Sequence, residues 1–180
     1  MTPFTRITND DDADYISHWH RSLAFTIAGL AQFAAEALTT PGANDAVRAR
    51  LLPTASTHDR NVAAEFRKLA GAQIAGTKAT AVTAFGDRLV TAIADSDGDV
   101  VTVKIPADEA RETLAAISTL RLAVAEMLRV ESDADAELVA HQALAGGPVA
   151  DANSEHAAAL MFMALGAAQE SLLNAMGYPQ

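Results

Sequence analysis

Two periods run through this chain. Phe4 to Thr8 reads over a few residues like a strand, and Val100 to Ile105 does so most clearly, with Pro106 to end it. Nearly everywhere else apolar residues recur at three and four. Between about Asp12 and Leu38 they fall at Tyr15/Ile16, Trp19, Leu23, Ile27, Leu30/Ala31, Ala34 and Leu38, a spacing that predicts one long amphipathic helix. The acidic cluster Asp10–Asp14 suits its N-terminus, and Thr39-Thr40-Pro41-Gly42 suits its end.

A short helix fits Ala43 to Leu52, stopped by Pro53. After a polar loop at Thr54–Thr57, Asp59 offers a cap to a stripe of Val62, Phe66, Leu69, Ile74, Ala81, Phe85, Leu89 and Ile93. As one rod this segment would be about 50 Å long. A compact domain of this length has a radius of gyration of roughly 16 Å, so a break is expected near Gly71, with Gly76 as a second weak point. Asp95–Asp99 reads as a turn before the Val100 strand, and Asp108/Glu109 open a helix striped by Leu114, Ile117, Leu120/Arg121, Val124 and Met127/Leu128. Glu131 to Asp135 reads as a solvated connector and Ala136 to Ala145 as a short helix stopped by Gly146-Gly147-Pro148. A last helix, capped by Asp151, Asn153 or Ser154, runs to about Met176. Two strand-then-acidic-helix units echo each other. The expected fold is therefore mainly α: a single domain over 1–180, a helical bundle of five to seven helices with a short two-stranded β pair formed by 4–8 and 100–105.

Composition narrows this picture. Half of the 180 residues are apolar, yet 41 are alanine, so the core should be thin and closely interdigitated. With no cysteine, disulfides, thiolate metal sites and thiol redox switches are excluded. Thirteen Lys and Arg against 23 Asp and Glu give a net charge of −10, which repels phosphate backbones, so nucleic-acid binding by the chain unaided is not expected. The longest apolar stretch, Leu23–Leu38, is 16 residues and interrupted by Thr26, Gln32 and Glu36, so a buried helix is expected and no membrane partner. The start of the chain shows no basic-then-apolar order, and the expected location is cytoplasmic.

Candidate chemistry is sparse. Asp95–Asp99 and Glu131–Asp135 lack the glycine and terminal acid at the spacing of a calcium loop. His18 and His20, two apart on the expected helix, would face different ways, and Glu137/His141 is a lone pair four apart; no metal or cofactor is expected. No G-x-S-x-G, G-x-G-x-x-G or phosphate loop occurs. This inventory points away from an enzyme. One basic stretch exists, with Arg48, Arg50, Arg60, Arg67 and Lys68 against Asp59 and Glu65. It is a candidate interaction surface, and Glu65–Val82 admits a helix-turn-helix reading, though Ala79 stands where the turn glycine belongs.

Two polar interruptions break otherwise apolar stripes. Arg121 interrupts Leu114–Leu128, and Gln169-Glu170-Ser171 interrupts the last helix between Leu160-Met161-Phe162-Met163 and Leu172-Leu173. An Arg121–Glu170 pair across two packed helices, with Gln169 satisfying a nearby polar group, is the expected structural arrangement, since either charge buried alone would be costly.

Three stretches resemble a known family: Leu51-Leu52-Pro53-Thr54-Ala55 followed by Ala63–Leu69 and Lys78, Leu120-Arg121-Leu122-Ala123-Val124, and Gln169-Glu170-Ser171-Leu172. In order and spacing they are similar to the central, "LRLAL" and "QESL" segments of the actinobacterial AosR-type oxidative-stress regulators, over about Val47 to Met176. The resemblance implies a cytoplasmic, mainly helical protein that modulates stress-response transcription through a protein partner, such as the transcription machinery. Ala164 and Ala167 stand where that family places tryptophans. Its cysteine-pair sensing cannot carry over to a chain without cysteine.

The leading expectation is a non-catalytic regulatory protein acting through protein–protein interaction. Direct DNA binding through Arg48–Lys68 is one alternative. The other is a small-ligand binder or enzyme with a pocket between helices around Trp19, Arg121 and Glu170. Alanine-rich faces also suit a homodimer seam.

Overall fold

A computed structural model describes residues 1–9, 12–52, 60–145 and 155–178, with side chains throughout these except at 9, 12, 13, 60 and 62–68. Strand β1 (Thr5–Asn9) pairs antiparallel with β2 (Asp12–His20), which pairs antiparallel with β3 (Val100–Pro106), in the order β1-β2-β3. Six α-helices are seen among the described residues: α1 (Arg21–Thr39), α2 (Asp45–Leu51), α3 (Arg60–Ala94), α4 (Ala110–Met127), α5 (Asp133–Ala145) and α6 (Glu155–Ala175). The chain is mainly α, as expected. The sheet has three strands, not two.

The added strand replaces the first third of the expected helix. Residues 12–20 alternate as well as they repeat at four. Tyr15, Ser17 and Trp19 point into the core while His18 and His20 face out. Opposite them Val101, Val103 and Ile105 do the same, in the register Trp19↔Val101, Ser17↔Val103 and Tyr15↔Ile105. Aromatic and β-branched side chains packed on a pleated face outweigh the helical spacing, which a strand cannot use. The two histidines therefore share a face, contrary to the helical expectation. At one end of the β2–β3 ladder the largely buried Asp14 carboxylate accepts from Lys104 Nζ at 2.8 Å. β1 and β3 both pair with β2 and never with each other, so the expected echo pair does not form.

Trp19 is the centre of this end. It is fully buried, packs edge-on to Phe4 and Phe85 at 6.5 and 6.2 Å, and its indole N–H donates to Ser17 Oγ at 3.0 Å. The chain then turns directly from β2 into α1. The Arg21 amide donates to Asp99 O at 2.7 Å, and the Arg21 guanidinium donates to the carbonyls of Ile93, Ser96 and Gly98. One side chain thus closes the C-terminus of α3, where carbonyls lack helical partners and the dipole favours a cation.

α1 has the length and composition of a membrane-crossing helix, but Ala24, Ile27, Leu30, Ala31, Ala34, Ala37 and Leu38 are buried in the core. Its main partner is α3. Their approach depends on Gly86, where an added Cβ would meet Ala31 Cβ at 2.9 Å, closer than packed carbon atoms come.

α3 is unbroken over 35 residues, so the expected break at Gly71 or Gly76 is absent. A glycine inside a helix costs only about 1 kcal/mol. That is little against the face that buries Ala75, Ala79, Val82, Phe85 and Leu89. The same continuity removes the helix-turn-helix over 65–82. Pro53–Asp59 and Gly146–Ser154, which held the expected loop, stop and cap residues, lie outside the described residues.

Candidate functional site

Arg121 does not pair with Glu170. Its guanidinium carbon lies 4.8 Å from the centroid of the Phe162 ring, and no ion pair or hydrogen bond to a described residue engages it. Phe162, Gly166 and Gln169 follow at four and seven positions along α6, close enough in angle to form one strip. A Cβ added at Gly166 would sit 3.6 Å from Arg121 Cζ and Nε, an ordinary contact distance, so α6 passes the guanidinium with room for no more than a methyl group between them. Glu170 is exposed. A hydrated carboxylate avoids the desolvation that a buried pair would require. Gln169 is half-buried, and its Oε1 is a fully buried acceptor with no donor among the described residues. The expected satisfaction of a polar group by Gln169 is therefore not seen.

These two groups line a cavity of about 400 Å³ between α4, the α4–α5 connector and α6. Ser118, Arg121, Leu122 and Ala125 come from α4, Phe162 and Gln169 from α6, Val130–Asp133 and Ala136 from the connector and the start of α5, and a second guanidinium, Arg50, from α2. Local sequence rules build the connector wall. Arg129 takes a positive φ of 56° after α4, and the Val130 amide reaches back to Ala125 O at 2.8 Å, closing the helix end. Val130 O in turn accepts from Arg50 Nη2 of α2 at 3.1 Å. Ser132 and Asp135 form a reciprocal capping box: Asp135 Oδ2 accepts from the Ser132 amide and hydroxyl, both at 2.8 Å, and the Asp135 amide donates to Ser132 Oγ at 3.3 Å. Hydrogen bonds from Ser132 Oγ and the Glu131 and Ser132 amides hold the Asp135 carboxyl below its ordinary pKa. Glu131 and Asp133 carry exposed carboxylates at the rim.

The arrangement can hold an anionic or planar polar group on Arg121 and shelter an apolar body against Leu122, Ala125, Val130 and Phe162. Trp19, the third residue expected near such a pocket, lies in the core under the sheet and does not line it. The connector wall was not anticipated, although Ser132-x-x-Asp135 is a capping signal legible in the sequence.

The basic stretch is partly committed to structure. Arg48 Nη1 donates to the carbonyls of Ala37 and Leu38 at the end of α1, and Arg50 donates to Val130 O. The side chains of Arg60, Arg67 and Lys68 lie outside the described residues. Among the described residues no three His, Asp or Glu side chains gather as metal ligands, and Glu137 and His141 are both exposed.

The fold and cavity define a mainly helical protein with a small antiparallel sheet and a partly polar pocket at the end built from α4 to α6. Its sequence matches the profile of the family described as "Domain of unknown function (DUF2017)" over residues 1–176, and the chain belongs to that family. No curated protein and no solved structure matches it.

Proposed function

We propose that this protein is a non-catalytic regulatory module that works by binding another protein. The observation that carries the reading is α5, a helix of 13 residues that buries only Val139 and Ala143 and leaves Leu138 and Leu144 exposed. A helix held by so narrow a buried strip, with leucines in water, has the character of a partner surface. In the finer form implied by the resemblance to AosR-type regulators, the partner belongs to the transcription machinery and the output is a stress response in the cytoplasm. The hydrogen bonds of Arg48 and Arg50 to main-chain carbonyls make direct DNA binding the weaker alternative.

The test is affinity capture from lysate of the source organism at low and high salt, with and without nuclease. The wild type is compared with a Leu138→Glu/Leu144→Glu variant. A stoichiometric, nuclease-resistant protein lost with the variant supports the reading. Recovery that disappears with nuclease, or no partner in any condition, overturns it.

A further inference from the structure

Two guanidiniums line the cavity from different helices, Arg121 from α4 and Arg50 from α2. Phe162 covers one face of the Arg121 group, and no described residue engages its in-plane N–H donors. Arg50 spends Nη2 on Val130 O and leaves Nη1 and Nε without a hydrogen bond to a described residue. The Ser118 hydroxyl, on the same lining, is likewise uncommitted among the described residues. Glu131 and Asp133 also line the cavity, yet neither forms an ion pair with either arginine. Two like charges therefore face one small space with donors to spare, which leaves room for an anion with several acceptors.

We propose that the cavity binds a small organic phosphate monoester. The phosphate lies between Arg121 and Arg50 with the Ser118 hydroxyl as a further donor, and the organic body rests against Leu122, Ala125 and Val130. The number of donors selects this class. A carboxylate is satisfied by one bidentate guanidinium and would leave the second cation unmatched. A monoester offers three terminal oxygens and a charge of about −1.5 to −2, which suits two guanidiniums approaching from two helices. The volume of about 400 Å³ and the mixed apolar and polar lining are those of a small-molecule site. The two carboxylates oppose the anion, but both residues are exposed and act through water, whereas Arg121 is half-buried against Phe162 and acts at contact. The net charge of −10 is screened over about 8 Å at physiological salt, so it slows approach more than it weakens the fit. Arg50 is the more exposed of the two cations, and Arg121 therefore carries the larger share of the binding. The site stands independently of any protein partner at α5.

The isolated full chain is titrated by calorimetry and thermal shift with phenyl phosphate and butyl phosphate, against phenylacetate and inorganic phosphate. At least one ester should raise the melting temperature and bind about tenfold more tightly than either phenylacetate or inorganic phosphate. Arg121→Met, which gives up no hydrogen bond to a described residue, should weaken ester binding by about tenfold or more. Arg50→Met should weaken it by about threefold. Replacing both carboxylates, Glu131→Gln with Asp133→Asn, should tighten binding by about threefold, a change that a merely structural role would not produce. The proposal is overturned if neither ester binds, if phenylacetate or inorganic phosphate binds as tightly as the esters, if either arginine variant binds them like the wild type, or if removal of the two carboxylates weakens binding.

Discussion

Arg21 and Arg121 are both half-buried guanidiniums, and the molecule uses them in opposite ways. Arg21 donates to three main-chain carbonyls and ties the end of α3 to the turn before β3. Arg121 lies over Phe162 and donates to no described residue. Along the strand that leads into Arg21 the polar groups close on each other: Trp19 Nε1 finds Ser17 next to it, and Asp14 finds Lys104 at the far end of β2. Around Arg121 a cavity stays open, and Gln169 Oε1 has no donor among the described residues. The lesson is that a cation in a helix contact is structural when its donors are spent within the fold. One whose donors remain free beside a cavity is available to something from outside.

The largest effect expected lies at the closed end. Trp19→Ala should destabilise the protein by about 3–5 kcal/mol, because it empties the space against Phe4 and Phe85 that the sheet and α3 share. Denaturant unfolding measures this. A loss below about 1 kcal/mol would mean that the end is not packed as described.

The two arginines test the comparison directly. Arg21→Met strips three carbonyls of a charged donor and should cost about 2–3 kcal/mol. Arg121→Met loses a cation–π contact of about 0.5–1 kcal/mol but gains apolar contact with Phe162 and sheds a half-buried charge, so its net change should stay within about 0.5 kcal/mol. Equal losses in the two variants would erase the distinction between closed and open ends.

How much of this was legible in the sequence follows the same division. Arg121 and Gln169 were visible as polar breaks in apolar stripes, because a stripe reports which face is buried. Glu170, one residue on, was misread: spacing reports the face of a helix and not the depth at which a charge stops, and Glu170 ends in solvent. β2 was missed because Tyr15, Trp19 and Leu23 fit a period near four while Tyr15, Ser17 and Trp19 fit a period of two. Only the pairing with β3, some 85 residues away in register, decides between them. The continuity of α3 was hidden by Gly71, since a local glycine penalty is legible and the tertiary face that outweighs it is not. α4 and β3 were read nearly to their ends because Pro106 and the Asp108/Glu109 start are local signals.

Lys78 sharpens the comparison with a cation that can titrate. It is partly buried on α3 without an ion pair or hydrogen bond to a described residue, and burial lowers its pKa. The folded state therefore binds fewer protons than the unfolded state between the lowered value and the ordinary 10.5, and stability should rise with pH through that window. Lys78→Met should abolish the rise and leave neutral-pH stability equal or slightly higher. Arg121→Met should leave the slope untouched, because a guanidinium stays charged throughout. Unfolding midpoints measured from neutral to alkaline pH decide this, and an unchanged slope in Lys78→Met would assign the dependence elsewhere.

The smallest effect is expected at the cavity wall itself, where Asp135 caps α5. Its pKa is lowered by the Ser132 hydroxyl and the Glu131 and Ser132 amides, so its contribution is complete above the ordinary carboxylate value and is lost as pH falls through the lowered one. The cap lies at the protein surface, so global stability should hardly register the change. Local opening should register it. Protonation removes the acceptor for two amides at the start of α5, and the Glu131 and Ser132 amides should exchange faster below the carboxylate range. Asp135→Asn should weaken protection at neutral pH in the same two amides while leaving Arg21 and its carbonyl contacts undisturbed. If acid instead frees the amides around Arg21 first, the open and closed ends have been assigned the wrong way round.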